Sequence, residues 1–108
     1  MSSPFVNELR TGGDVVRVGG GNGVVVHLRV QAAELWDTIR VDAPSAASVG
    51  AVKRAALQEF YPAGESPDEF VTKFRGFEIL DEDQSLEDSG IRDGSTLLLS
   101  RRRRRPVR

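Results

Sequence analysis

Residues 74–99 read FRGFEILDEDQSLEDSGIRDGSTLLL, the part of the sequence with the clearest strand and turn signals. A short strand over residues 77–80 precedes an acidic loop at residues 81–85, and Asp93-Gly94 is a turn pair. The last strand spans residues 95–99, with alternate side chains pointing to opposite faces. The pattern predicts that Leu98 points outward and that the core contains Leu80, Leu86, Ile91, Leu97 and Leu99.

Upstream, the sequence predicts a hairpin, one helix and a further strand. Apolar residues alternate from Val26 to Val30, and residues 35–41 form the partner strand, with a bulge that turns Trp36 inward. Ser48 is suited to cap a helix with Lys53 at its surface and an apolar side formed by Val49, Val52, Ala56, Leu57 and Phe60. With a strand at residues 70–74, the predicted order is β-β-α-β-β-β, an α+β fold.

The quoted stretch resembles the ubiquitin-like (β-grasp) family. The likeness lies in Phe74-x-Gly76, in the acidic run after Leu80, in Leu86 and Ile91, and in Ser95-Thr96-Leu97-x-Leu99. Weaker matches upstream are Pro67-Asp68 after Gly64 and the helix start at residues 48–53. The resemblance covers residues 24–100 and implies a mixed sheet of four to five strands packed on one helix.

The resemblance also directs attention to the carboxyl end, where conjugated ubiquitin-like proteins expose Gly-Gly after the last strand. Glycine is needed there because the activating enzyme threads that end through a narrow channel. In this sequence arginines follow the strand, and no glycine occurs after Gly94. We therefore expect a non-conjugating type of ubiquitin-like protein.

A second set of positions corresponds to the apolar recognition patch of ubiquitin. The isoleucine of that patch corresponds to Lys73, the valine to Ser100 and the histidine to Leu98, while Gly76 lies beside them. An apolar hot spot is replaced by a charged one, so receptors of ubiquitin itself are not expected to bind. This face, formed by Lys73, Gly76, Leu98 and Ser100, is either a partner-binding surface or a solvated face without a role.

The sequence offers no catalytic or metal site. It has no cysteine and a single histidine, His27, which the strand pattern places outward, so neither a nucleophilic triad nor an ordinary zinc site is available. The acidic residues 81–83 lack the spacing of a calcium loop. We expect no enzymatic activity, no cofactor and no bound metal.

The charge is divided unevenly along the chain. Residues 1–100 hold nine basic and 16 acidic side chains, a net charge of −7, whereas residues 101–108 hold six arginines and no acid. Three interpretations of this basic tail stay open: phosphate binding by Arg101, Arg102, Arg103, Arg104, Arg105 and Arg108; a nuclear-localisation or membrane-surface signal; or a loose fold-back on the acidic body, for example towards Asp81–Asp83.

The expected organisation is a flexible N-terminal segment at residues 1–23, a ubiquitin-like domain at residues 24–100 and a basic tail at residues 101–108. The expected function is a noncovalent adaptor that binds a protein partner. The alternatives are a nucleic-acid-associated module that uses the tail and, less favoured, a conjugated modifier. We expect a monomer without a membrane span, located in the cytoplasm or nucleus.

Overall fold

The computed structural model describes residues 15–19 and 23–102. Within them, one mixed sheet packs on one long helix, α1 (Val49–Phe60). The spatial order of the strands is β1-β3-β2-β6-β4-β5, with β1 parallel to β3, β2 parallel to β6 and the remaining pairs antiparallel. The strands are β1 (Val15–Arg17), β2 (Val25–Ala32), β3 (Asp37–Pro44), β4 (Phe70–Phe74), β5 (Phe77–Glu78) and β6 (Thr96–Arg101).

Helix α1 forms as the sequence predicts. The Ser48 hydroxyl accepts a hydrogen bond from the Ala51 amide at 3.0 Å, which satisfies a free donor of the first turn. The loop at residues 82–84 covers the same helix start, because the carbonyls of Glu82 and Gln84 accept from the amides of Gly50 and Val49. A Cβ at Gly50 would lie 3.2 Å from the Glu82 carbonyl oxygen, so this close approach favours glycine.

The core lies between α1 and one face of the sheet. The predicted apolar helix residues are all buried, as are Leu86, Ile91, Leu97 and Leu99. Lys53 was expected at the surface, and that prediction is wrong, since its side chain is only 3% exposed. Its ammonium group donates to the Phe70 carbonyl at 2.6 Å and to the Glu82 carboxylate at 3.0 Å, so the buried charge is paired and hydrogen-bonded.

Two apolar side chains predicted to point inward are exposed instead. Trp36 is 92% exposed, because the hairpin turn ends at this residue with φ 55° rather than forming a bulge in the strand. Leu80 is 85% exposed. Ile79 takes the inward position, its amide donating to the Thr72 carbonyl at 2.8 Å while its side chain packs against the core.

Strand β1 adds a further strand to the sheet from residues upstream of position 24. Val15–Arg17 lies inside the segment expected to be flexible, yet it pairs in parallel with β3 and brings the described sheet to six strands rather than four to five. Val16 and Val18 pack against the core, which offsets the cost of ordering this short strand. The rest of the expected flexible segment, residues 1–14 and 20–22, lies outside the described residues.

Candidate interaction surface

The sheet has one face covered by α1 and a second face that no other described element covers. We call the second one the open face. Side chains alternate between the two faces along each strand, so Leu28 and Leu99 are buried while their neighbours on the strand point outward. The open face carries Val15, Arg17, His27, Arg29, Gln31, Thr38, Arg40, Asp42, Val71, Lys73, Glu78, Thr96, Leu98 and Ser100.

The residues predicted from the sequence to form a partner-binding surface lie together at one end of this face. Lys73 on β4 and Leu98 on β6 are direct cross-strand partners, and both are partly buried. Ser100 follows on β6 and faces Val71. Gly76 lies in the β4–β5 turn with φ 83°, a conformation that favours glycine, and its Cα faces open space.

Arg101, the first arginine of the tail, is bound to the body of the domain. Its guanidinium contacts the Glu34 carboxylate at 2.7 and 3.1 Å and the Glu65 carboxylate at 3.4 Å. It also lies over the Phe70 ring, 4.6 Å from the ring centroid. Hydrogen bonds, charge pairing and stacking therefore all hold this side chain on the protein.

The same contacts shift three pKa values. Hydrogen bonds from Arg101 and then from Tyr61 lower the pKa of Glu34 to about 2. Burial and the hydrogen bond to Glu34 raise the pKa of Tyr61 to about 12. The pKa of Arg101 is raised above its usual value, mainly by its hydrogen bonds to Glu34. Arg101 therefore stabilises the ionised form of Glu34, and Glu34 stabilises the ionised form of Arg101.

Arg102 is also engaged with the body. Its amide donates to the Glu69 carbonyl at 2.6 Å, its side chain donates to the Asp68 carbonyl at 3.0 Å, and its guanidinium lies 3.9 Å from the Glu78 carboxylate. The sequence-based fold-back interpretation named Asp81–Asp83, whereas the described tail residues contact Glu34, Glu65 and Glu78. Arg103, Arg104, Arg105 and Arg108 lie outside the described residues.

A basic pair that was not predicted from the sequence lies in the middle of the open face. Arg29 on β2 and Arg40 on β3 are direct cross-strand partners, both exposed, and neither forms an ion pair or side-chain hydrogen bond within the described part of the chain. Each arginine alternates with buried apolar residues along its strand, and this pattern predicts that its side chain points outward. Their opposition depends on the hairpin register, for which the two strand sequences alone carried no clear signal.

Two further features bear on chemistry. His27 is outward, as predicted, and its Nδ1 lies 2.8 Å from the Asp42 carboxylate. Over residues 15–19 and 23–102, no group of three or more histidine, cysteine, aspartate or glutamate side chains is placed to hold a metal ion. In the same part of the chain, no helix is long and apolar enough to cross a membrane.

A solved structure of ubiquitin from Caldiarchaeum subterraneum matches this arrangement. It superposes with a TM-score of 0.63 over 77% of this chain and 100% of the archaeal chain, at 19% sequence identity. This chain has a ubiquitin-like β-grasp fold. At that identity the likeness establishes the fold alone. No protein-family profile and no curated protein sequence matches the chain.

Proposed function

We propose that this ubiquitin-like domain is a non-catalytic, noncovalent protein-interaction module that acts as a monomer in the cytoplasm or nucleus. Its binding surface is the open face around Lys73, Leu98 and Ser100. One observation supports this assignment most directly: Lys73 and Leu98 are adjacent on a sheet face that no described element of the chain covers. A cation beside a partly buried leucine offers both a directional contact and apolar area.

A noncovalent role is further supported by the end of β6. An activating enzyme needs a slender, free chain after the last strand. Here Arg101 is a strand residue whose guanidinium is hydrogen-bonded to Glu34 and stacked on Phe70. Freeing it for ligation would break these contacts, and the bulky side chains that follow would obstruct a narrow channel. Conjugation is therefore disfavoured.

The nucleic-acid alternative receives less support from the described residues. Arg101 and Arg102 already contact carboxylates of the body, so binding phosphate would first require breaking those contacts. Among the residues that the structure describes, the strands carry no aromatic side chain on the open face on which a base could stack. Nucleic acid is therefore kept as an outcome of the test.

The proposal is tested by affinity capture with the full chain, followed by mapping of the contact. The baits are the unaltered chain, Lys73→Ala, Leu98→Ser and a matched surface control, Gln58→Ala, on the exposed side of α1. We expect one protein to be captured by the unaltered chain and by Gln58→Ala, and to be reduced with both face variants. Thermal unfolding of each bait separates lost binding from lost folding.

Three results would overturn the proposal. Equal capture by all four baits would remove the open face from the function. A thioester formed with activating enzyme and ATP would show that the chain is conjugated. Tight, salt-dependent binding of RNA that is lost in a chain lacking residues 101–108 would establish the nucleic-acid alternative.

A further inference from the structure

We propose that the open face binds an acidic segment of the partner protein, held by Arg29 and Arg40. This inference rests on the proposed function and specifies the chemistry of the partner. It concerns a part of the face next to the Lys73–Leu98 pair and separate from the basic tail.

The arrangement of the two arginines is unfavourable unless an anion is bound. Arg29 and Arg40 are direct partners in the antiparallel β2–β3 pair, which brings their Cβ atoms to within about 5 Å, and like charges in this arrangement destabilise a sheet. The next residues in the same cross-strand row are Val15 on β1 and Thr96 on β6, and neither carries a charge. A carboxylate between the guanidiniums would convert repulsion into two charge-assisted hydrogen bonds.

The acidic groups beside this pair are already engaged. The Asp42 carboxylate lies 2.8 Å from His27 Nδ1, and the Asp93 carboxylate accepts the His27 amide at 2.8 Å. Arg17 on β1 adds positive charge beside its strand partner Asp42, and Lys73, towards the other end of the face, lies opposite Glu78 on β5. The middle of the open face is therefore basic on a domain body that is acidic overall.

The middle of the open face contains a depression that suits an acidic side chain of a peptide. His27, Leu28, Arg29, Arg40 and Gly94 line a shallow depression wide enough for a side chain. Asp42 and Asp93 each contact His27, one of the lining residues. On the open face, the strands, as far as the structure describes them, carry no aromatic side chain on which a nucleic-acid base could stack. An Asp- or Glu-rich peptide, placing carboxylates along the row, suits this site better than nucleic acid.

The test is an NMR titration of the full chain with hexaglutamate peptide. Residue-resolved shifts distinguish the open face from the tail, which also attracts an acidic peptide. We expect saturable shifts at the amides of Arg29, Arg40 and Thr96, with an affinity that falls as salt rises. Arg29→Gln and Arg40→Gln should each weaken this binding by up to about fivefold. Arg54→Gln, which removes an exposed charge from α1, should leave it unchanged.

Stability measurements make the result decisive. Both arginine variants should unfold at the same temperature as the unaltered chain or higher, because each removes a repulsion. Weaker binding then reflects the lost charge. Unchanged hexaglutamate affinity in both variants, or shifts confined to residues beyond Ser100, would overturn the inference. So would inorganic phosphate or a short RNA saturating the Arg29 and Arg40 shifts at lower concentration than hexaglutamate.

The two proposals fail separately. Leu98→Ser tests the captured partner at the other end of the face, where hexaglutamate has no apolar side chain to place. If Arg29→Gln and Arg40→Gln still capture the partner while Leu98→Ser does not, the interaction module stands and its acidic ligand is refuted. If no bait variant alters capture, the module itself is refuted.

Discussion

Arg101 and the Arg29–Arg40 pair lie on the same sheet in opposite electrostatic surroundings. Arg101 contacts two carboxylates and an aromatic ring, whereas Arg29 and Arg40 face each other and contact no carboxylate of the described residues. The contrast teaches that the arginine content of this chain has at least two uses. A partnered arginine holds the end of β6 on the domain, and an unpartnered pair leaves charge available to a ligand. Lys53 and Thr72 show the same contrast inside the domain, between a polar group with partners and one without a partner among the described residues.

The largest effect should come from the buried, partnered cation, Lys53. Glu82→Gln removes the negative partner and leaves the ammonium group inside the protein with the Phe70 carbonyl. We expect the free energy of unfolding to fall by about 3 kcal/mol. Urea unfolding followed by circular dichroism measures it, with the exposed Glu87→Gln as control. If Glu82→Gln lowered the free energy of unfolding no more than the control does, Lys53 would not need the Glu82 carboxylate.

A buried polar group without a partner should show the opposite sign. The Thr72 hydroxyl is buried on the helix side of β4 and makes no hydrogen bond with residues 15–19 or 23–102. Thr72→Val replaces it with a methyl group of similar size and should raise the free energy of unfolding by about 1 kcal/mol. Thr96→Val, at an exposed position of β6, is the control. Destabilisation by Thr72→Val would mean that the hydroxyl finds a partner in solution.

The Glu34–Arg101–Tyr61 contacts should be visible in the pH dependence. Tyr61 is the only tyrosine, so absorbance of its phenolate reports its pKa directly, which we expect near 12. Glu34→Gln should lower this pKa towards 10 without reaching it, because burial remains. Glu65→Gln, which alters Arg101 but does not contact Tyr61, should leave it nearly unchanged. A Tyr61 pKa that is unchanged by Glu34→Gln would contradict the hydrogen bond between Tyr61 and Glu34.

The direction of the stability change follows from the same two pKa values. The pKa of Tyr61 is raised in the folded state, so its contribution is complete below pH 10 and is lost as the pH rises towards 12. The pKa of Glu34 is lowered from 4.5, so its contribution is complete above pH 4.5 and is lost as the pH falls towards 2. At neutral pH, Glu34→Gln should cost about 1 kcal/mol or less, since the pair is exposed.

The smallest effect should come from the repelling pair. Arg40→Gln should raise the free energy of unfolding by about 0.3 kcal/mol at low salt, and the gain should vanish at high salt as the charges are screened. Unfolding of both proteins at the two salt concentrations measures the difference. A loss of stability at low salt would indicate that Arg40 has a favourable contact in the free protein.

Features set by neighbouring residues were predictable from the sequence. Helix α1 begins after Ser48 and ends at Phe60 as expected, because capping and apolar spacing act within one or two turns. The inward and outward residues of β2 and β6 followed from strand alternation in the same way. The order of the elements from β2 to β6 could therefore be predicted.

Features set by distant residues were not predictable in this way. The contact of Arg101 with Glu34 joins positions 67 residues apart, and the opposition of Arg29 and Arg40 needs the hairpin register. Strand β1 is three residues long and gains its pairing from β3. The helical spacing placed Lys53 among the exposed residues. Its burial depends on the positions of the Phe70 carbonyl and the Glu82 carboxylate, which are distant in sequence.

The pairing of β1 with β3 has a practical consequence for handling the protein. Val15–Arg17 occupies hydrogen-bonding positions along Arg40–Asp42 that would otherwise form a bare sheet margin. In a shortened polypeptide that lacks residues 1–19, the unpaired edge of β3 could form hydrogen bonds with other copies of the same polypeptide. We expect the shortened polypeptide to aggregate gradually on storage, as measured by light scattering, and the full chain to remain free of aggregates.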